Sequence, residues 1–388
     1  MNKPTAPTAT VQQIIQQYQH THSNSHVQHV MTQLAACRTA KLGYHTYQCS
    51  DDKCAQIKYQ YHSCRNRHCP QCGAFQKQQW IEDRKRELLP IAYYHVVFTL
   101  PHELNSIILG NRKQLFALLF EASAKTIQCF AKDKKYLNAQ PGFLSVLHTW
   151  GQQLSFHPHV HCIVSGGGIN SQQGKLSWKN GTRLKGDFLF PVKAMSTVYR
   201  GKFLQALSQL IKDKKVQLPI DCNQKELFNT LYKKDWIVYA KKPFGGPEQV
   251  IDYLGRYTHK VAITNHRIKN IDYQKHIVTF NYKDYADGGK QKQMSMEVSE
   301  FIRRFEQHIL PKGLTKIRSY GYLANQGRTK RLLSITNLLK LQPHPAKVHT
   351  PWQVRLLERY GIQYDQCPGC KQNTLVLKQL MHKIPDDG

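Results

Sequence analysis

Three histidines occupy alternate positions in the stretch QQLSFHPHVHCIVSGGG, residues 152–168: His157, His159 and His161. Side chains alternate along a strand, so His159 and His161 project from one face, where two neutral imidazoles can reach one ion. The preceding LSVLHTWGQQ is expected to form a hairpin with this strand through the turn LSFHP, bringing Gln152 or His148 alongside as a third ligand. Three protein ligands leave coordination positions open, which an ion needs if it is to bind a phosphate oxygen. His157 has the same parity but directly precedes Pro158, and reads as a turn residue or substrate contact. The competing reading is a strand whose histidines are merely solvated or packed.

A second chemistry is written in cysteine. Eleven cysteines, an odd number, fall mostly in close groups, unlike a disulfide framework. CRTAKLGYHTYQCSDDKCAQIKYQYHSCRNRHCPQC, residues 37–72, holds six of them. Cys49 and Cys54 with Cys69 and Cys72 make one tetrahedral set, and CPQC has the short turn that lets two thiolates share a zinc ion. Cys37, His45, Cys64 and His68 would supply a second set, so one or two Zn²⁺ ions are expected. A closed four-ligand site is structural, and its task would be to position a DNA-binding surface. Within CRNRHC, Arg65 and Arg67 are candidate phosphate contacts. The later pair Cys367 and Cys370, in CPGC, offers two ligands only, with His382 beyond it. It reads either as part of a metal site completed from elsewhere or as a reduced turn.

The third stretch is FGGPEQVIDYLGRYTHKVAITNHRI, residues 244–268. Pro247 suits the first position of a helix and Glu248 its positive end, so a helix is expected to about Tyr257. Tyr253 and Tyr257, four apart, share a helical face with Arg256 beside the second. Taken alone, these are as well explained as half-buried packing tyrosines.

The elements that must carry these residues follow from periodicity. YYHVVFTLP, FLSVLHTWG, HVHCIVSGGG and DWIVYAKKP are strand-like, rich in β-branched and aromatic residues and bounded by Gly or Pro. NRKQLFALLFEASAKTIQCFAKD and TVYRGKFLQALSQLIKDKK are core-packing helices, which predicts an α+β fold with an antiparallel sheet. KVAITNHRI, KHIVTFNYKD and KQKQMSMEVS read as a three-stranded meander, with YADGGK as a turn. A helix over GAFQKQQWIEDRKRELLP is expected to end at Pro90. Three regions result: helices and the zinc module over 1–90, the sheet-bearing domain over 91–340, and a Pro-punctuated tail over 341–388.

Fifty-five Lys and Arg against 25 Asp and Glu give a formal charge of +30, spread along the chain, which points to a polyanionic partner bound by a folded basic surface. No apolar run has the length of a membrane span, and the N-terminus lacks a signal peptide's apolar core, so an intracellular protein with no membrane partner is expected. GGGINSQQGKLS has the wrong glycine spacing for a P-loop and Leu176 after its lysine.

Together, HPHVHCIVSGGG, the tyrosine stretch and the CRNRHCPQC cluster resemble the insertion-sequence-91 family of transposases, within the HUH single-strand endonucleases. The resemblance runs from about Cys37 to the end, in the order zinc module, histidine strand, tyrosine helix and IRSYGYLAN. It implies an HUH-type antiparallel sheet with packed helices behind a small Cys/His zinc-binding domain. It also implies a Mg²⁺ or Mn²⁺ ion at His159 and His161, and nucleophiles at Tyr253 and Tyr257. The implied reaction is rolling-circle transposition through 5′-phosphotyrosine intermediates. The implied partners are single-stranded transposon ends, target DNA in the cytoplasmic nucleoid and a host helicase, since the chain has no nucleotide-binding loop. Arg256, His259 and Lys260 are the cations available to assist a phenol of pKa ~10, with Lys260 also a DNA contact. A replication initiator or relaxase would use the same chemistry. A zinc-dependent regulator would use the cysteines but not the tyrosines, and a tyrosine recombinase would leave a 3′-phosphotyrosine.

Overall fold

The computed structural model describes residues 9–18, 24–181, 189–241, 249–250, 255, 261–342 and 350–382, the side chains of 74–79, 241 and 359 excepted. Among the described residues, twelve strands follow in chain order: β1 (Tyr44–Cys49), β2 (Ile57–Tyr61), β3 (Tyr93–Thr99), β4 (Gln140–Trp150), β5 (Phe156–Gln172), β6 (Lys175–Asn180), β7 (Val238–Lys241), β8 (Ile268–Asp272), β9 (Ile277–Asp284), β10 (Lys290–Glu297), β11 (Ile317–Tyr320) and β12 (Leu375–Met381). The chain divides into two compact units. One comprises Met1–Ala74, Thr264–Ile271 and His344–Gly388; the other comprises Phe75–Ile263 and Asp272–Pro343. The C-terminal segment shares a unit with the N-terminal cysteines.

The larger unit is built on an antiparallel sheet in the order β11-β4-β5-β3-β7, with β6 also paired to β5. Alternation gives this sheet two distinct faces. Val160, Cys162 and Val164 of β5, with Phe143 and Leu147 of β4 and Tyr94, Val96 and Phe98 of β3, are buried under the helices Arg112–Lys132 and Val192–Lys212. The first helix buries Leu115, Phe116, Leu119, Phe120, Ser123, Ile127 and Phe130, a stripe of helical period. Each such large apolar side chain contributes about 1.5–3 kcal/mol on burial. On the opposite face Tyr93, Leu144 and Ile163 form a second buried cluster with Val250, Tyr322 and Ile335. That face carries the histidines, because Ile163, His161 and His159 share one parity.

The glycines after the histidines serve packing. A Cβ on Gly166 would stand 2.9 Å from the Tyr94 ring, and one on Gly168 2.6 Å from the Gln140 carbonyl oxygen. Gly321, in IRSYGYLAN, has φ +63° and a backbone so close to β4 that a Cβ would lie 1.7 Å from the Pro141 oxygen. That motif supplies the edge strand β11, paired from Ile317↔Val146 to Tyr320↔Phe143.

Several expectations are corrected. Residues 261–264 form no strand and Asn265–Arg267 is a 3-10 turn, so KVAITNHRI contributes only its last residue to β8. β9 and β10 pair as read, from Lys290↔Asp284 to Glu297↔Ile277, and the helix Val298–Gln307 follows directly. The helix Ala74–Lys85 ends before Pro90 is reached. Strand β6 and the helix Gln224–Lys233 had no counterpart in the sequence reading.

Candidate active site and metal centres

The expected hairpin forms. β4 and β5 pair antiparallel, with His148 opposite His159 and Val146 opposite His161, and a turn over 151–155 closes where the Gly151 N–H donates to the Ser155 carbonyl at 2.9 Å. Directly opposed residues in an antiparallel pair share a face. His148 therefore joins the two strand histidines, and one ring nitrogen from each lies within 4.8 Å of the other two. Of the two candidates for the third position, His148 is the one brought into this group. Gln152 stands in the turn with its Oε1 3.5 Å from the Lys283 backbone N–H, and His157 is exposed.

Hydrogen bonds select the tautomer. Nδ1 of His159 lies 2.6 Å from the His157 carbonyl oxygen, an atom that only accepts, so the proton is on Nδ1 and Nε2 carries the lone pair that could hold a metal ion. Nδ1 of His161 lies 2.9 Å from Nε2 of His95 on β3, with the two rings stacked at 8°. Both histidines are buried. His148 is buried against Trp150, their rings stacked at a 4.8 Å centroid distance. Below this layer, His308 accepts from the Thr149 hydroxyl at Nδ1 (3.2 Å) and donates from Nε2 to the Leu154 carbonyl (3.1 Å). Burial, reinforced by the nearby Arg112, pushes its pKa down to about 4, so the ring is neutral and Nδ1 is the acceptor of the Thr149 pair.

The cysteines assemble differently from the sets drawn on spacing alone. Cys37, Cys64, Cys69 and Cys72 form one group, with Cys37–Cys69 and Cys64–Cys72 sulfur separations of 3.6 Å; Cys49 and Cys54 leave it for a second group with Cys367 and Cys370. Neither histidine of the expected second set is a member. His45 Nδ1 pairs with His62 Nε2 at 3.0 Å, and His68 lies beside Cys69 without entering the group. Arg65 and Arg67 are exposed between these ligands.

Residues 142–331 match the family model described as "Putative transposase", and residues 10–100 match the "Transposase zinc-binding domain". The Sinorhizobium fredii (strain NBRC 101917 / NGR234) protein named "Putative transposase y4qJ" is 41% identical over 378 residues, spanning 94% of this chain and 92% of that protein. The chain belongs to the insertion-sequence-91 family of transposases. The transposase for insertion sequence element IS801 of Pseudomonas savastanoi pv. phaseolicola is 29% identical over 80% of the chain and 73% of its own length. No solved structure matches.

This transposase thus carries an N-terminal zinc-binding domain, and its cysteine groups have the donor set zinc takes. No helix among the described residues is long and apolar enough to cross a membrane. Tyr253, Arg256, Tyr257, His259 and Lys260 lie outside the described residues. Val250, just ahead of them, is described: it is fully buried in the cluster with Leu144 and Ile163 on the histidine face of the sheet. Sequence reasoning missed His95, whose only signal was its parity in YYHVVFTLP. It also missed the partners of Cys367 and Cys370, for which no local signal exists.

Proposed function

We propose that this transposase nicks and rejoins single-stranded element ends through a 5′-phosphotyrosine link, in rolling-circle transposition. The observation that carries the reading is the three-histidine group on the sheet face where Val250, at the head of the tyrosine segment, is buried. The donor set fits a divalent ion with open coordination positions. Three imidazoles suit Mn²⁺ better than Mg²⁺, which prefers oxygen ligands. When bound, the ion would polarise the scissile phosphate and offset the charge that builds up during attack.

The chain's own groups do the rest. His148, His159 and His161 hold the ion, and His95 and the His157 carbonyl orient two of those rings. Tyr253 or Tyr257 attacks phosphorus through its phenolic oxygen, which loses its proton as the bond forms, with Arg256, His259 and Lys260 as the supporting cations. The 3′ oxygen of the neighbouring nucleotide leaves as a free hydroxyl. The ester keeps the energy of the broken bond, so a later attack by a 3′-OH rejoins DNA without a nucleotide cofactor. Arg65, Arg67, His157 and Lys260 are the proposed DNA contacts, consistent with the +30 charge. Element ends and target DNA would be met in the cytoplasm on the nucleoid, with unwinding left to a host helicase.

The test is the polarity of the covalent adduct on a labelled single-stranded element end in Mn²⁺. The reading expects protein on the 5′ phosphate, lost when Tyr253 and Tyr257 are both changed to Phe and when His159 and His161 are both changed to Ala. An adduct on a 3′ phosphate, or one surviving the double Phe change, overturns it.

A further inference from the structure

The zinc-binding domain matched by similarity ends at residue 100, yet the second cysteine group draws half its members from the far end of the chain. Sγ of Cys49 lies 3.8 Å from Cys370, and Sγ of Cys54 lies 3.7 Å from Cys367. A disulfide would require about 2.05 Å. A tetrahedral ion with Zn–S bonds of about 2.3 Å sets its sulfurs about 3.8 Å apart, which is the spacing found on both edges. We propose that Cys49, Cys54, Cys367 and Cys370 bind a second structural Zn²⁺, which clasps the C-terminal segment onto the N-terminal zinc-binding domain.

Three further features of the fold agree. The backbone already meets here: β12 pairs with β1 from Cys49↔Leu375 to Tyr44↔Met381, completing the sheet β12-β1-β2, and the Ser50 N–H donates to the Thr374 carbonyl at 2.8 Å. The ligand turns are strained in the same way: Ala55 and Lys371, each directly after a cysteine of this group, have φ +47° and +63°. Arg38 and Arg65 repeat the pattern after Cys37 and Cys64 of the first group. Left-handed backbone costs a non-glycine residue roughly 1–2 kcal/mol, and four such turns beside cysteine are sustained where ligand bonds offset the cost. Finally, the site has a supporting layer. The Thr374 hydroxyl lies 3.0 Å from Cys49 Sγ, as an outer-shell donor to a thiolate would, and Gly369 is confined because a Cβ there would stand 3.0 Å from Cys54 Sγ.

Four thiolates close the coordination sphere, so the ion takes no substrate, and four thiol protons are released as four Zn–S bonds form. Its consequence is architectural. Residues 313 positions apart in sequence are tied at one point, and the strand and helix that flank Cys367 and Cys370 depend on the metal for their place.

The experiment uses full-length protein purified without chelator. Metal analysis and Co²⁺ substitution should report about two thiolate-bound ions per chain, counted by the sulfur-to-cobalt absorption of all-thiolate tetrahedral sites, which an ion on the three histidines does not give. Changing Cys367 and Cys370 to Ser should lower the count by about one and leave the other site's spectrum in place. Alkylation of the wild-type protein, which does not depend on the folding of that variant, is the second measurement. With zinc bound, Cys49, Cys54, Cys367 and Cys370 should be protected while exposed Cys129 reacts, and chelation should open all four. One ion per chain in the wild type, an unchanged count in the Ser variant, or protection indifferent to chelation would overturn the proposal.

Discussion

Acid should loosen the layer beneath the three histidines, and His308 is the group through which it should act. Its neutral ring joins Thr149 of β4 to Leu154 in the β4–β5 turn, and burial with Arg112 nearby holds its pKa down to about 4 against an ordinary 6.5. The unfolded chain therefore takes up a proton at a higher pH than the folded one, and falling pH favours unfolding. The contribution is fully present above pH 6.5, is lost progressively as pH falls through the window to 4, and changes no further below it. At about 1.4 kcal/mol per unit of pKa, the whole window is worth roughly 3 kcal/mol, of which about 2 kcal/mol is gone by pH 5. Urea unfolding at pH 7.5 and pH 5, followed by tryptophan emission, measures it, since Trp150 sits 6.0 Å from the His308 ring. The comparison is with His308→Gln, which can still donate to Leu154 but does not titrate. Acid also protonates zinc-bound thiolates, but equally in both proteins, so the difference between their pH responses isolates the histidine. Wild type should lose about 2 kcal/mol more than the variant over this range. Equal losses would refute the assignment of a buried neutral His308.

His95→Phe removes the ring nitrogen that pairs with Nδ1 of His161, and should raise the Mn²⁺ concentration needed for half-maximal nicking about 10- to 100-fold, with excess Mn²⁺ restoring the rate; loss of rate that Mn²⁺ does not rescue would make His95 a packing residue. Gly321→Ala should destabilise the larger unit by roughly 2–4 kcal/mol through strain against Pro141, read as a lowered urea midpoint, and a neutral substitution would contradict the close approach of β11 to β4. Binding to a single-stranded oligonucleotide should weaken with salt at a log–log slope of about −0.7 for each phosphate contact, and Arg65→Ala with Arg67→Ala should flatten that slope by about one to two contacts; an unchanged slope would remove these arginines from the interface.

Much of this protein was legible locally, because local spacing determines which side chains share a face. Alternation in HPHVH fixed the common face of His159 and His161, and the short LSFHP turn predicted the hairpin, but the choice between His148 and Gln152 as their neighbour waited for the register that sets His148 opposite His159. The helix Arg112–Lys132 followed from its apolar period and β3 from its β-branched run. Closure of ligand sets was not legible. CPGC is two ligands wherever it occurs, and nothing within reach of Cys367 in sequence indicates that Cys49 and Cys54 complete the set; only the pairing of β12 with β1 does so. The same holds for His95, which meets His161 because β3 lies beside β5 in the sheet. The sequence by itself determined the metal-binding residue types, the α+β class and the charge that suits DNA. Tertiary structure decided which cysteines share an ion, because four sulfurs are brought within 4.8 Å by strand pairing between chain ends, a contact whose free energy no short stretch of sequence contains.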